Sequence, residues 1–226
     1  MSDFFLELFS EEIPYNLQKN ARNTLLQNFK DFFEKEKILY KSEGKVFSTP
    51  NRLIILFEGI DVEIHKQSEE IRGPSIRAPE EALEGFIKSN KIEKKNIFKN
   101  QTKKGVFYFF KKPAKKIKTI DLLNKNIPDL LSKISWKKSM KWGDFDLFWG
   151  RPLKSILAIF GNTKLNFNFY HLHSSNSTFL DKEFEKKTKV FSSYKSYKNY
   201  FKKLGVIIDH NLRKKFIEKE LKKISK

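Results

Sequence analysis

"FFLELFSEEIP", residues 4–14, is an apolar run broken only by Glu7 and closed by two acids and a proline. Phe4, Leu6 and Leu8 alternate with Phe5, Glu7 and Phe9, so an extended segment would be apolar on both faces. This predicts a short, largely buried strand. Pro14 suits the first turn of a helix, where its missing N–H is no loss. Leu17, Ala21, Leu25, Phe29, Phe32 and Phe33 then recur at helical spacing, predicting a long amphipathic helix over 14–37. Residues 45–60 read as a β-hairpin, with "KVFST" and "LIILFEGI" as arms and "TPNR" as the turn. The opening order is strand, helix, hairpin, which places the chain in the mixed α+β class.

Further along, "EEIRGPSIRAP" reads as a linker or surface loop, because Gly and two prolines punctuate it. A helix is expected over 79–89, with acids in its first turn. "GVFYFFKKP" reads as a strand, and "TIDLLNKNIPDLLSKIS" as a helix kinked or restarted at Pro128. "DFDLFWG", "RPLKSILAIFG" and "KLNFNFYHLH" follow as antiparallel strands, with Gly143, Gly150 and Gly161 at their turns. Beyond residue 173 the chain turns polar and basic. "HSSNSTFLDKEFEKKTK" reads as a loop, "SYKSYKNYFKKLG" as a basic helix, and "VIID" as a short strand. Asp209 then caps a last helix running through Ile224. Leu212, Phe216, Leu221 and Ile224 give that helix an apolar stripe. The expected organisation is a mixed α/β region over 1–173, with a helical or linker insertion near 66–135. A basic, mainly helical segment over 174–226 would continue into further domains.

At 226 residues, with 39% hydrophobic residues and 23 Phe, the chain can fill a core in one large domain or two small ones. It has no Cys, which excludes disulfides, thiolate metal sites and a cysteine nucleophile. No segment approaches the roughly 20 apolar residues of a membrane helix, and the acidic N-terminus lacks the basic start of a signal peptide. A soluble, cytoplasmic chain with no membrane partner is expected.

The net charge of +19 is unevenly placed. Residues 1–90 hold 12 Lys/Arg against 16 Asp/Glu, and residues 91–226 hold 34 against 11. Such asymmetry fits a polyanionic partner for the second part. It equally fits an AT-rich coding sequence, since 40 of the 46 cations are Lys. Arg therefore stands out, and Arg52, Arg72 and Arg151 each sit at a turn beside Gly or Pro. A planar guanidinium there either braces the turn or holds an anion bidentately.

Chemistry-bearing clusters are sparse. Glu11 and Glu12 suit either acid–base work or the favourable charge of a helix N-terminus. His171 and His173 would share a strand face, but no further ligand lies at metal-site spacing, so no metal is assigned. Phosphate-binding glycine loops, serine elbows and zinc-helix motifs are absent from the sequence. Tyr194, Tyr197, Tyr200 and Phe201, interleaved with Lys, suit either base stacking on RNA or a helix whose rings face the core.

Several segments in order resemble the beta subunit of bacterial heterotetrameric glycyl-tRNA synthetase. "FFLELFSEEIP" is similar to its strand leading into Glu-Glu-Leu-Pro. "STPNRL" is similar to its Thr-Pro-Arg-Arg-Leu hairpin, with Asn51 in place of the first Arg. "RGPSIRAP" and "ALEGFIKSNKI" resemble its Arg-Gly-Pro loop and Ala-x-Gly-Phe helix. "KSMKWGDFDLFWGRPLKSILAIFGN" resembles its Met-Arg-Trp-Gly … Phe-x-Arg-Pro segment, with Trp149 and Gly150 at less constrained places. "SSNSTF", 174–179, stands where many relatives carry Arg-Gly-His-Arg-Phe. The family extends well beyond this length, with an HD-like domain and an anticodon-binding domain. The resemblance therefore implies a truncated product, a fragment or one part of a split subunit.

The implied function is ATP-dependent joining of glycine to its tRNA, with ATP and Mg used by the alpha subunit of an alpha2beta2 tetramer. The beta subunit would support tRNA binding and assembly, so no catalytic residue and no bound cofactor is assigned here. Candidate contacts to RNA or to the partner subunit are Arg52, Arg72, Lys141, Trp142 and Arg151. A stand-alone basic RNA-binding module and a degraded remnant are the alternatives.

Overall fold

The computed structural model describes residues 1–180 and 187–225. In chain order the elements are β1 (Ser2–Ser10), α1 (Tyr15–Glu36), β2 (Lys45–Thr49), β3 (Arg52–Ile60), β4 (Glu63–Lys66), β5 (Glu69–Ser75) and α2 (Glu80–Asn90). Next come β6 (Ile97–Thr102), β7 (Gly105–Lys112), β8 (Lys115–Lys118), α3 (Thr119–Ser132), β9 (Leu153–Phe160), β10 (Thr163–Lys164) and β11 (Asn168–Phe169). The last are β12 (Leu172–Ser175), β13 (Ser177–Phe179), β14 (Thr188–Val190), α4 (Tyr194–Lys203) and α5 (His210–Ile224). The expected α+β class is the observed one.

The chain forms two units, Met1–Val62 with Lys118–Lys226, and Glu63–Ile117. The inserted unit thus ends earlier than the 66–135 read from the sequence, and α3 belongs to the larger unit. Within the inserted unit β5, β7 and β6 form an antiparallel sheet. The "EEIRGPS" segment, expected as a loop, is a strand there. Its Gly73 lies under the ring of Phe86, where a Cβ would come within 2.9 Å.

The larger unit is built on a sheet of order β11–β12–β9–β1–β3–β2, with β10 paired to β9. β1 is antiparallel to both β3 and β9. It is covered on both sides, which explains its unbroken apolar pattern. On one face Phe4 meets Phe29 of α1 at 5.1 Å between ring centroids, and Phe57 packs edge-on against Phe33 at 4.9 Å. The α1 residues buried are the six read from periodicity. α3 lies beside α1, where Asn28 Nδ2 donates to the Leu130 carbonyl at 2.9 Å. It runs through Pro128 as one helix.

The second face carries Phe5, Ile54, Leu56, Leu157 and Ile159, and it is covered by Phe191, Tyr197, Phe201 and Ile208. This corrects the separation of 174–226 from the preceding region. Its Phe191, Tyr197, Phe201 and Ile208 complete the main core on this face. Each such buried ring contributes about 1.5–3 kcal/mol. A polar cluster sits inside this face. Glu7 on β1 is fully buried, and Arg52 on β3 is 6% exposed. Arg52 Nε lies 3.6 Å from Glu7 Oε2. Thr178 Oγ1 donates to Glu7 Oε1, and Arg52 Nη2 donates to the Phe179 carbonyl. The guanidinium rests on the rings of Phe9 and Phe201, at 4.5 and 4.7 Å. Burial pushes the Glu7 carboxyl above its ordinary range, against the opposing pull of Arg52.

Other sequence expectations fail locally. "DFDLFWG" is not a strand but an open loop, pinned by paired backbone hydrogen bonds between Met140 and Trp149 at 2.8 and 3.2 Å. "KLNFNFYHLH" is split by a turn at Tyr170, whose φ is +52°. "VIID" is irregular. In the stretch 173–189, read as a loop, Ser177–Phe179 and Thr188–Val190 pair as antiparallel strands, and residues 181–186 lie outside the described residues. Trp149 and Gly150, expected at less constrained places, are among the most tightly packed. Trp149 is buried between Trp136 and Phe169, at 5.1 and 5.7 Å. A Cβ on Gly150 would come within 2.4 Å of the Trp136 ring.

Two outcomes are expected. Gly150→Ala displaces the Trp136 ring and costs about 1–3 kcal/mol, read as a lower urea midpoint together with a changed near-UV tryptophan signal. Glu7→Leu and Arg52→Met each strand a buried charge and cost about 3–5 kcal/mol singly. The double substitution costs clearly less than the two together in a urea-denaturation cycle; simple additivity would deny the coupling.

Candidate nucleic-acid and subunit interface

Three of the sequence motifs meet at the end of β1. Ser10 N–H donates to the Asn51 carbonyl at 2.9 Å, Ile13 N–H to the Pro50 carbonyl at 2.7 Å, and Glu11 N–H to the Pro152 carbonyl at 3.0 Å. The strand-to-helix acids, the Pro-Asn-Arg hairpin and the Arg-Pro segment are thus one backbone clamp. Glu11 also lies 3.4 Å from Lys154 Nζ. Glu11 is thus held by both its backbone and its side chain.

Four of the five contact candidates lie in the larger unit. Arg52 is enclosed in the core cluster described above, so its charge is used inside the chain. Arg72 lies in the inserted unit, exposed on β5, with its guanidinium 3.6 Å from the Phe107 ring centroid. Lys141, Trp142 and Arg151 do share a neighbourhood, the loop pinned at Met140 and Trp149. Arg151 is half-buried and Nη1 donates to the Gly150 carbonyl at 2.9 Å. Lys141 Nζ contacts Asp146 at 2.8 Å. That hydrogen bond, and then the charge behind it, hold the Asp146 carboxyl below its ordinary value.

Sequence reasoning singled out Trp142 but passed over Phe145 and Phe148 of this loop. Phe145 stacks on His171 at 3.7 Å and 13° between planes, and Trp142 meets the same imidazole edge-on at 6.1 Å. Desolvation lowers the His171 pKa, so the ring is a neutral platform at neutral pH. Phe148 is 63% exposed, and Met140 and Phe145 are exposed beside it. An ion-paired lysine with uncovered aromatic and thioether groups suits a protein contact, where aromatic anchors carry much of the binding. His173 Nδ1 faces Asn168 Oδ1, while the His171 ring is engaged by Phe145. Among the described residues, no group of three or more His, Asp or Glu could hold a metal.

The lysine–tyrosine helix resolves into two faces. Tyr197 and Phe201 are buried, and burial, helped by Glu7, raises the Tyr197 phenol well above its usual value. Tyr194 is pushed up to about 12 by burial and the charges of Asp209 and Glu58. Most of the rings therefore serve the core. Outward, Lys195 and Lys198 line an open hollow of about 430 Å³ with Asp3 and Glu58. Lys189 and Lys203 line a second of about 240 Å³ with Tyr200, Ser196 and Asn199. Lys189 Nζ lies 4.6 Å from the Tyr200 ring centroid. These cations can meet phosphates, with one tyrosine ring at hand for stacking. Among the described residues, no helix is long and apolar enough to cross a membrane.

The family model described as "Glycyl-tRNA synthetase beta subunit" matches residues 4–226. The glycine–tRNA ligase beta subunit of Rickettsia prowazekii (strain Madrid E) is 36% identical over 218 residues, covering 96% of this chain and 32% of that protein. The subunit of Rickettsia akari (strain Hartford) is 35% identical over 218 residues, with 96% and 33% covered. That of Rickettsia bellii (strain OSU 85-389) is 34% identical over 221 residues, with 98% and 33% covered. The chain spans about a third of the length of these curated relatives. With its match running almost from end to end, the chain belongs to the glycyl-tRNA synthetase beta subunit family.

Proposed function

We propose that this chain serves as the N-terminal part of a glycine–tRNA ligase beta subunit, supporting tRNA binding and assembly with an alpha subunit in an alpha2beta2 enzyme of the cytoplasm. The observation that carries the reading is the family match over residues 4–226. In this reading the alpha subunit uses ATP with Mg to activate glycine, and this chain contributes surfaces rather than reacting groups. The exposed Met140, Phe145 and Phe148 support a subunit contact. The cationic outer face of α4, within a second part holding 34 Lys/Arg against 11 Asp/Glu, supports contact with tRNA phosphates. That same excess favours a second reading, a stand-alone RNA-binding module without a subunit partner.

The test mixes the chain with the alpha subunit and tRNA, following glycylation and co-elution together. Co-elution at micromolar concentration is expected. The Phe145→Ser/Phe148→Ser variant should lose it while its stability stays within about 0.5 kcal/mol of the parent, as for other surface changes. No co-elution of the parent chain would overturn the assembly role. Steeply salt-dependent tRNA binding in that case would leave the stand-alone module as the better account.

A further inference from the structure

We propose that Arg22, His210 and Arg213 form a phosphate-binding site at the outer edge of the main sheet. The reading is independent of the subunit assignment. Arg22 projects from α1 and Arg213 from α5, and both converge on Ser48 of the edge strand β2. Arg22 Nη1 donates to Ser48 Oγ at 2.6 Å, and Arg213 Nη2 donates to the Ser48 carbonyl at 3.0 Å. Ser48 Oγ donates its own hydrogen bond to Gln18 Oε1 at 2.9 Å, which leaves it as an acceptor for Arg22. Arg213 Nη1 holds the Ile207 carbonyl at 2.8 Å. Two guanidinium groups are thereby held on one serine, and among the described residues most of the five N–H donors of each have no protein acceptor.

The charge balance is the unusual feature. Among the described residues, no carboxylate forms an ion pair with either arginine. Asp209 is the acid that acts on Arg213, and its Oδ1 already accepts from the N–H groups of Asn211 and Leu212. Arg22 feels burial and then the like charge of Arg213, both lowering its pKa. His210 opens α5 beside them. Burial, and then the Arg22 charge, lower its pKa, and its buried Nδ1 has no hydrogen-bond partner among the described residues. Half-buried like charges held together by neutral acceptors are unfavourable unless an anion bridges them. Two rigid forks, approaching from α1 and α5 with the His210 imidazole beside them, match the several oxygens of a phosphate group. The chain's cationic excess favours a phosphate over a partner's carboxylate. The source is an RNA phosphodiester or free inorganic phosphate.

The experiment uses the full chain. Inorganic phosphate at millimolar concentration should raise the melting temperature of the parent by a few degrees over chloride at equal ionic strength, because it binds the native state alone. Arg22→Gln and Arg213→Gln should abolish that shift, and Arg22→Lys should retain part of it. Without phosphate, Arg22→Gln should melt no lower than the parent, since a repelling charge is gone; a purely bracing role predicts a lower melt. With a tRNA transcript, Arg22→Gln should weaken binding and reduce the log–log salt slope by about 1 if the phosphate is RNA backbone. An unchanged slope with a lost phosphate shift assigns the site to free phosphate. A phosphate shift surviving both Gln variants overturns the proposal. So does the absence of any phosphate or RNA effect in the parent, or an equal shift with acetate, which would point to a carboxylate.

Discussion

The larger unit depends on Glu7, a carboxylate at the centre of the central strand, in a position with no access to water. β1 pairs on both edges and is covered on both faces, so its one buried charge must be answered from within. Arg52 answers it from the neighbouring strand, and Thr178 and Tyr197 reach it from far along the chain. An ion pair this deeply buried returns little net stability over an apolar pair, but breaking it is costly. Its consequence here is architectural. The second face of the sheet is complete only when residues 177–179 and α4 are docked on it, which makes the inward side of α4 part of the core.

That requirement separates the two roles of the basic stretch. Tyr197, Phe201 and Phe191 turn inward as core, while Lys195, Lys198, Lys202 and Lys203 turn outward and stay solvated. One helix thus closes the sheet and presents a cationic surface. The loop between Met140 and Trp149 divides its labour similarly. Trp149 anchors it against Trp136 and Phe169, and the anchored base holds Phe145 and Phe148 out in solvent. The signature segments of the family are mostly concerned with this scaffolding. They tie the ends of β1, the β2–β3 hairpin and the entry to β9 into one clamp.

Much of this was legible from residue patterns. The alternation in 4–9, the helical spacing from Leu17 to Phe33 and the Pro-Asn turn name local conformations, and each appeared as read. Asp209 caps α5 as its side chain and position suggested. The misreadings share a cause. "EEIRGPS" carries turn-forming residues but finds a strand partner in β7, and "DFDLFWG" alternates but finds none. Pairing is a tertiary event, and a period of two cannot announce whether a neighbour will arrive. The same holds for the site. Arg52 was singled out as a contact to a partner because an Arg at a turn is conspicuous; its burial against Glu7, a residue 45 positions away, leaves no trace in the local sequence. Arg22 and Arg213 lack a Gly or Pro neighbour and drew no attention until folding set them on the same serine.

The amino-acid sequence by itself determined the α+β class, the first strand, the two long terminal helices of the larger unit and the family to which the chain belongs. These follow from short-range periodicity and ordered motifs, which survive without knowledge of contacts. Only the tertiary structure decided which charges are spent internally, which aromatic rings are exposed, and that Phe191, Tyr197, Phe201 and Ile208 are core. Those outcomes depend on desolvation, and whether a group loses its water is fixed by what packs over it rather than by its neighbours in the chain.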